Sequence, residues 1–298
     1  MYLKLKAFCS LHSWRHSLTV RVFLGYWLAV FSIIWTFTEF TGYFFTINNS
    51  PVKPSVWLVL GLGVVIAAWM SRPRLTRTIL LPEKDIQLQV TVDDMFRLDD
   101  ASLIIPSNCC FTHDHIDGDA IITQFRSRFF STAAQLDQAI AEALRSVPAE
   151  DRVLNGRQVN QYPIGTVAQI PLPGPVGRFA YLVASAELNE HGRGIPQLGD
   201  LKSALNSLWT HIGERGNTRP LAVPVLGSGR QRLTPNRLQL IALIMQSFLS
   251  SSQHRKFTGR LTVVIHPRAY LSHSYNLDEV ETYMKCLVKF NISVNHAE

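Results

Sequence analysis

LAVPVLGSGRQRL, residues 221–233, runs an apolar stretch into Gly-Ser-Gly and then sets Arg230 and Arg232 close behind. The unbroken apolar run predicts a buried strand over 220–226, and continuously apolar strands are the mark of parallel sheets covered on both faces. Glycines just past such a strand let backbone N–H groups approach an anion, and the helix expected to follow turns its positive N-terminus toward the same point. A diphosphate suits that turn.

On either side of it, apolar runs alternate with helical patterns. IQLQVTV (86–92) alternates with period two, as a half-buried strand does, and SLIIP (102–106) reads as a short buried strand. Helices are predicted over 118–130 and 132–146, then strands over 166–171 and 179–186, and a helix over 197–214. After the 220–226 strand comes a helix over 235–252, opened by Thr234 as N-cap with Pro235 in the first turn. A strand over 260–266 and a last helix from near Asn276, with Asp278 and Glu279 in its first turn, complete the series. This order predicts an α/β fold, a mostly parallel mixed sheet flanked by helices, with ligands at the carboxyl ends of the strands. The polar segment ELNEHGRGIPQLGD (187–200) reads as a loop and candidate lid.

Ahead of this domain the chain is of another kind. Val22 to Ile47 is almost wholly apolar or aromatic, long enough at 1.5 Å per residue to cross a hydrocarbon core of about 30 Å. Val56 to Met70 is shorter; extended to Pro54–Ser71 it reaches the lower limit of about 17 residues. The expected organisation is a cytoplasmic segment (1–21), a two-helix transmembrane hairpin (22–71), a basic linker (72–84) and a sensing domain (85–298). The turn INNSPVKP carries one lysine while both outer flanks carry several basic residues, so the positive-inside rule predicts an inner-membrane protein with both termini cytoplasmic. The first apolar run is too long for a signal peptide and lacks a small-x-small site after it. Glu39 reads either as an interfacial carboxylate among Trp35, Phe40 and Tyr43 or as a group facing the interior of an assembly.

The net charge of +7 follows the same division. Nine basic and two acidic residues precede residue 85, and the remainder holds twenty of each. A neutral domain lacks the electrostatic footprint of a nucleic-acid partner. The four cysteines include no C-x-x-C pair, which suits a reducing compartment.

Three strand ends carry polar groups: VTVDDMF with Asp93 and Asp94, IIPSNCCFTHDHIDGDAI, and the Gly-Ser-Gly turn. Asp94 reads as a ligand contact or as the cap of a turn, and Gly227 and Gly229 as an anion cradle or a plain tight turn. His113, Asp114 and His115 are sequence neighbours that converge poorly on a metal without a distant ligand, so no metal site is expected. Cys109 and Cys110 read as buried fillers rather than nucleophiles. Arg232 reads equally as a solvated charge on the helix flank.

The strand followed by Asp-Asp-hydrophobic, the short strand ending Pro-Ser-Asn, and the later apolar strand running through Pro into Gly-Ser-Gly together resemble the macro domain, over roughly 85–290. With two apolar segments ahead of it, the chain is similar to the membrane-anchored effectors of the type II Thoeris anti-phage system. The resemblance implies a ligand derived from ADP-ribose, conjugated to a base or amino acid, made by a TIR-domain partner. It implies no cofactor, a homo-oligomer acting on the lipid bilayer, and arrest of the infected cell. By the same resemblance Asp94, with Met95, would contact the adenine amino group, and Ser107 and Asn108 the distal ribose. Val225, Leu226, Gly227, Ser228 and Gly229 would form the second phosphate loop, with a charge-assisted contact from Arg230. The Gly-rich run that follows the asparagine in the family is replaced here by CCFTHDHIDGD (109–119). Macro hydrolases use that run to place ribose and water, so binding without turnover is expected. A membrane-tethered ADP-ribosyl hydrolase and a holin-like hairpin with a scaffolding domain are the alternatives.

Overall fold

The computed structural model describes residues 2–17, 20–44, 46–47, 50–51, 55–113, 118–154, 156–216, 218–229, 233–273 and 275–295. The chain divides into two compact units, Met1–Leu75 and Thr76–Glu298.

The first unit contains helices α1 (Tyr2–Phe8), α2 (Leu11–Ser17) and α3 (Val20–Phe44), a short antiparallel pair β1 (Thr46–Ile47) and β2 (Ser50–Pro51), and helix α4 (Val56–Met70). Among the described residues α3 is the one helix long and apolar enough to cross a membrane; its 25 residues rise roughly 37 Å at 1.5 Å each. The expected second span forms as a helix of 15 residues, which rises only roughly 22 Å, against a hydrocarbon core of about 30 Å. The turn between them reverses the chain through β1 and β2, and the rest of INNSPVKP lies outside the described residues. Where α4 returns past α3, a β-carbon on Gly63 would sit 3.3 Å from the Trp27 ring, so glycine is what lets the indole lie on the helix backbone. At the end of α4 the Arg72 guanidinium sits 4.8 Å over the Trp69 ring, a cation–π pair.

The second unit opens with strands β3 (Thr76–Leu81) and β4 (Ile86–Val92), a single 3-10 turn (Met95–Arg97) and β5 (Ser102–Asn108). Helices α5 (Ile121–Phe129) and α6 (Ala133–Ala143) follow, then strands β6 (Glu150–Leu154), β7 (Arg157–Gln161), β8 (Val167–Pro171), β9 (Phe179–Leu188) and β10 (Gly194–Ile195). The chain ends through α7 (Leu198–Arg215), β11 (Leu221–Pro224), α8 (Arg237–His254), β12 (Arg260–Ile265), α9 (Pro267–His273) and α10 (Leu277–Asn295).

The main sheet has the order β10-β9-β5-β11-β12-β4-β3, with β8 also paired to β9. From β9 to β4 all neighbours are parallel, while β3, β8 and β10 are antiparallel at the margins. Alternation along β9 separates the two faces: Leu182 joins the core built with Phe125, Leu136 and Ile140 of α5 and α6, whereas the Tyr181 ring meets His211 of α7. On that second face Trp209, fully buried, packs against Phe248 and Phe257 and donates from its indole N–H to Ser247 at 2.9 Å. The α/β fold expected from the alternation of runs is therefore the fold observed, a mixed and mostly parallel sheet flanked by helices.

Several local expectations change. Residues 76–81, read as part of a basic linker, form edge strand β3, and Arg77 is held there by Asp278 at 2.6 Å and Glu281 at 2.7 Å on α10. Those two carboxylates neutralise a cation that the sequence alone presents as a solvated flank. The helix expected to be capped at Thr234 starts later, because Asn236 and Gln239 make a reciprocal capping box. Segment 187–200 is largely ordered by pairing: β9 continues to Leu188, β10 returns against it, and the Asn189 carboxamide oxygen accepts from the His191 and Arg193 N–H groups.

Candidate functional site

Register brings the expected strand ends to one edge. Ile265 pairs with Val92 and Val264 with Pro224, so β4, β12 and β11 end side by side. The adjoining β5 ends at Asn108, opposite Ala186 of β9. Asp93–Asp94, His266, Val225–Gly229 and Ser107–Asn108 thus all leave the carboxyl edge of the parallel strands, where crevices form between diverging loops.

Asp94 does two things there. Its Oδ1 accepts the Phe96 N–H at 3.1 Å and caps the 3-10 turn, while Oδ2 receives Arg128 Nη1 of α5 at 3.3 Å. The cap reading is realised, and one carboxylate oxygen still faces a partly exposed cation. Met95 is buried, so its side chain serves the core. His266, just past the end of the adjoining β12, is held neutral because burial pushes its pKa below the ordinary 6.5, against the pull of Asp94. His211 on α7 is lowered as well, by burial and then by Arg215. Both shifts mean that the unfolded chain takes up protons before the folded one as pH falls through 6.5, so these groups withdraw stability on acidification. Unfolding free energy is expected to be flat above pH 7 for these two groups and then to fall by up to ~1.4 kcal/mol per pH unit for each. Urea melts of the H211Q/H266Q double variant in micelles at pH 7.5 and 5.5 should show a shallower loss than the parent.

The loop after β5 is built around its asparagine. Asn108 Oδ1 accepts the N–H groups of Cys110 at 3.0 Å and Thr112 at 3.2 Å, and Nδ2 donates to the Thr112 carbonyl at 2.8 Å. The residue expected to meet a ribose has its carboxamide committed to its own loop, which carries Phe111 through a left-handed φ of 52°. Ser107 is buried, and its hydroxyl has no hydrogen-bond partner among the described residues. Cys109 and Cys110 are both buried with sulfurs 3.9 Å apart. The Cys110 thiol donating to Cys109 brings the latter down to about 7 and pushes Cys110 itself up. His113 is buried between Arg126 of α5 (3.2 Å to Nδ1) and Asp137 of α6 (2.9 Å to Nε2). A guanidinium can only donate, so Nδ1 accepts and the Nε2–H is given to Asp137. That clamp joins two helices; Asp114 and His115 lie outside the described residues.

The Gly-Ser-Gly turn has the conformation its composition suggests. Gly227 sits at φ 75°, a left-handed value. Ser228 donates from Oγ to the Val225 carbonyl at 2.6 Å, and the Leu233 N–H closes the loop on the Gly227 carbonyl at 3.2 Å. Val225 and Leu226 are buried, leaving only their backbone for a ligand. Neither the Gly227 nor the Gly229 N–H finds an acceptor among the described residues. Arg230 and Arg232 lie outside the described residues.

Two residues that the sequence did not single out join this turn. Tyr275, 6% exposed, has a hydroxyl hydrogen-bonded to both Ser228 and Arg237, and burial keeps it protonated by raising its pKa. The Arg237 guanidinium lies 5.6 Å from the Tyr275 ring centre. Nearby, a cleft of about 510 Å³ opens between Pro196–Leu198 and Leu233–Pro235; Leu233 is also the side chain that a β-carbon on Gly227 would touch.

The model of the family described as Thoeris protein ThsA, Macro domain, matches residues 88–266. Among solved structures the chain is similar to the Oceanobacillus iheyensis macrodomain with ADP, at 14% identity and TM-score 0.47, over 72% of this chain and 97% of that one. The same organism's macrodomain with MES bound gives 15% identity and TM-score 0.47 over the same shares, 72% and 97%. No curated protein matches.

Proposed function

The chain belongs to the Thoeris protein ThsA macro-domain family, whose model spans more than half of it, and on that premise we propose that it is a membrane-anchored sensor of an ADP-ribose-derived nucleotide. The observation that carries the reading is the single carboxyl edge shared by Asp94 and the left-handed Gly227 turn. An adenine-reading carboxylate and a diphosphate-cradling turn must lie on one crevice to act on one ligand. In this reading residues 85–298 form the sensing domain and 22–71 the membrane hairpin, with α3 and the shorter α4 as its two crossings and both termini in the cytoplasm of a bacterial cell. The basic flanks Lys4, Lys6, Arg15, Arg21, Arg72 and Arg74 support that orientation.

The signal is a product of a TIR-domain partner, and ligand binding drives assembly of several copies that breach the membrane. Binding does so only through a higher affinity for the assembled state. Binding without turnover is favoured because the Asn108 carboxamide, which a hydrolase would present to ribose, is held by Cys110 and Thr112.

Calorimetry on the full-length protein in micelles tests this with ADP-ribose and its base- and amino-acid-conjugated derivatives. Saturable binding, recovery of the nucleotide unchanged, and dye release from proteoliposomes only after ligand addition are expected. Absence of binding to every derivative overturns the reading, and appearance of free ADP-ribose from a conjugate turns it into a hydrolase.

A further inference from the structure

We propose that Arg237 is the fixed cation of the carboxyl-edge site, donating to the diphosphate of the bound nucleotide while Tyr275 positions it. This rests on the functional reading above for the identity of the anion.

The Arg237 guanidinium carries donors that the described residues leave unserved. Arg237 Nε and Nη2 are shut off from solvent and have no hydrogen-bond partner among the described residues. Stranding charged donors away from water is costly, and structures keep such groups only where an opposite charge completes them. The face of Tyr275 at 5.6 Å offsets part of the cost and fixes the plane of the guanidinium, but a ring accepts no in-plane N–H. An anion is the missing partner.

Position says which anion. One hydroxyl, that of Tyr275, bonds both Arg237 and Ser228, so the guanidinium lies one side chain from the centre of the Gly-Ser-Gly turn. The Gly227 and Gly229 N–H groups there lack acceptors among the described residues. Backbone donors on the turn and, one side chain away, a planar fork of charged donors match the several oxygens of a phosphate ester, which guanidinium takes two at a time. The first turn of α8 is already served by its capping box of Asn236 and Gln239, so the side chain of Arg237 rather than the helix end supplies the charge. Arginine cannot lose its proton, so the contact holds across the physiological pH range.

Calorimetry on full-length wild type, R237Q and R237K in micelles, with ADP-ribose, inorganic pyrophosphate and adenosine as probes, tests the assignment. R237Q should weaken ADP-ribose by about 30- to 100-fold, leave adenosine unchanged, and flatten the salt dependence of ADP-ribose binding. R237K, with charge but no fork, should fall between. A merely structural arginine would lower adenosine and ADP-ribose binding together, and that result, or an R237Q affinity within threefold of wild type, overturns the proposal. Wild type that binds pyrophosphate through Arg237 but not ADP-ribose would retain the inference and remove the functional reading. Wild type that binds neither removes both.

Discussion

Gly227→Glu is expected to lower the affinity of the full-length protein for ADP-ribose by at least ~100-fold while leaving it folded, a loss of about 2.7 kcal/mol or more. Two effects contribute, and they separate. Gly227 holds φ 75°, so any β-carbon costs ~1–2 kcal/mol of backbone strain. That carbon would fall 2.5 Å from Leu233 Cδ1, the tip of a side chain that can swing away, and 3.2 Å from its Cγ. Gly227→Ala therefore carries strain without charge and should weaken binding by ~10-fold at most. The glutamate adds a carboxylate where the diphosphate is expected, and two like charges at about 4 Å repel by ~4 kcal/mol at an effective dielectric of 20. Gly229 is the internal control: nothing lies within 4 Å of a β-carbon placed there, so Gly229→Ala should leave stability unchanged. Thermal melts with calorimetry check the set, and a folded Gly227→Glu protein that binds ADP-ribose within threefold of wild type would remove the turn from the site.

The turn was legible because its signals are local. An apolar run, two glycines and a following helix lie within one stretch, and the left-handed φ at Gly227 is the backbone demand those glycines meet. The same holds for β4, β5, β9 and β12, whose apolar runs stand where the strands are. What escaped depends on partners far along the chain or on competing signals. β3 carries TRTILL, but its arginines drew the linker reading, and only the two α10 carboxylates make Arg77 a buried residue. The Asn236-x-x-Gln239 box was present in the sequence and was outweighed by Pro235 beside it. Asn-Gly at 155–156, a hairpin signal, stands between β6 and β7, whose mostly polar EDRVL and RQVNQ give no apolar run to mark them as strands. Arg237 and Tyr275 come from the starts of different segments and meet only because α8 and the stretch before α10 reach the same sheet edge. No spacing rule within one segment reports such a meeting. Asn108 shows the converse: the family resemblance implies a ribose contact, and only the folded loop reveals that its carboxamide also bonds Cys110 and Thr112.

The largest stability effect is expected at Arg178, a residue that touches no part of the proposed ligand site. It is 4% exposed and precedes β9. Its guanidinium donates to the carbonyls of Ala101 at 3.1 Å, Pro173 at 3.1 Å and Leu98 at 3.4 Å, with the Phe129 ring 5.8 Å away. Asp99 stands 3.6 Å off but is 83% exposed, so water can serve it. One side chain thus ties the β8–β9 turn to the segment linking the Asp94-capped 3-10 turn to β5. Arg178→Met keeps the stem and removes every donor, stranding the buried Ala101 carbonyl at ~1–3 kcal/mol, while the Leu98 carbonyl keeps the Ala101 N–H and the Pro173 carbonyl, on an exposed residue, can turn to water. With the weaker contacts to the other two carbonyls also lost, a total of about 2–3 kcal/mol is expected, which for a domain of roughly 200 residues is a fall in Tm of about 5–10 °C. Arg178→Lys should recover little, because an ammonium is a point donor and the three carbonyls are arranged for a planar fork. The functional consequence is specific: with Leu98 and Ala101 released, the turn that orients Asp94 loses its anchor. ADP-ribose affinity should then fall by about tenfold at temperatures where the variant is still folded, with pyrophosphate binding unchanged because its proposed site lies on other strands. Equal loss of both ligands would mean global loosening, and no loss of either would mean that the 3-10 turn holds its shape without Arg178.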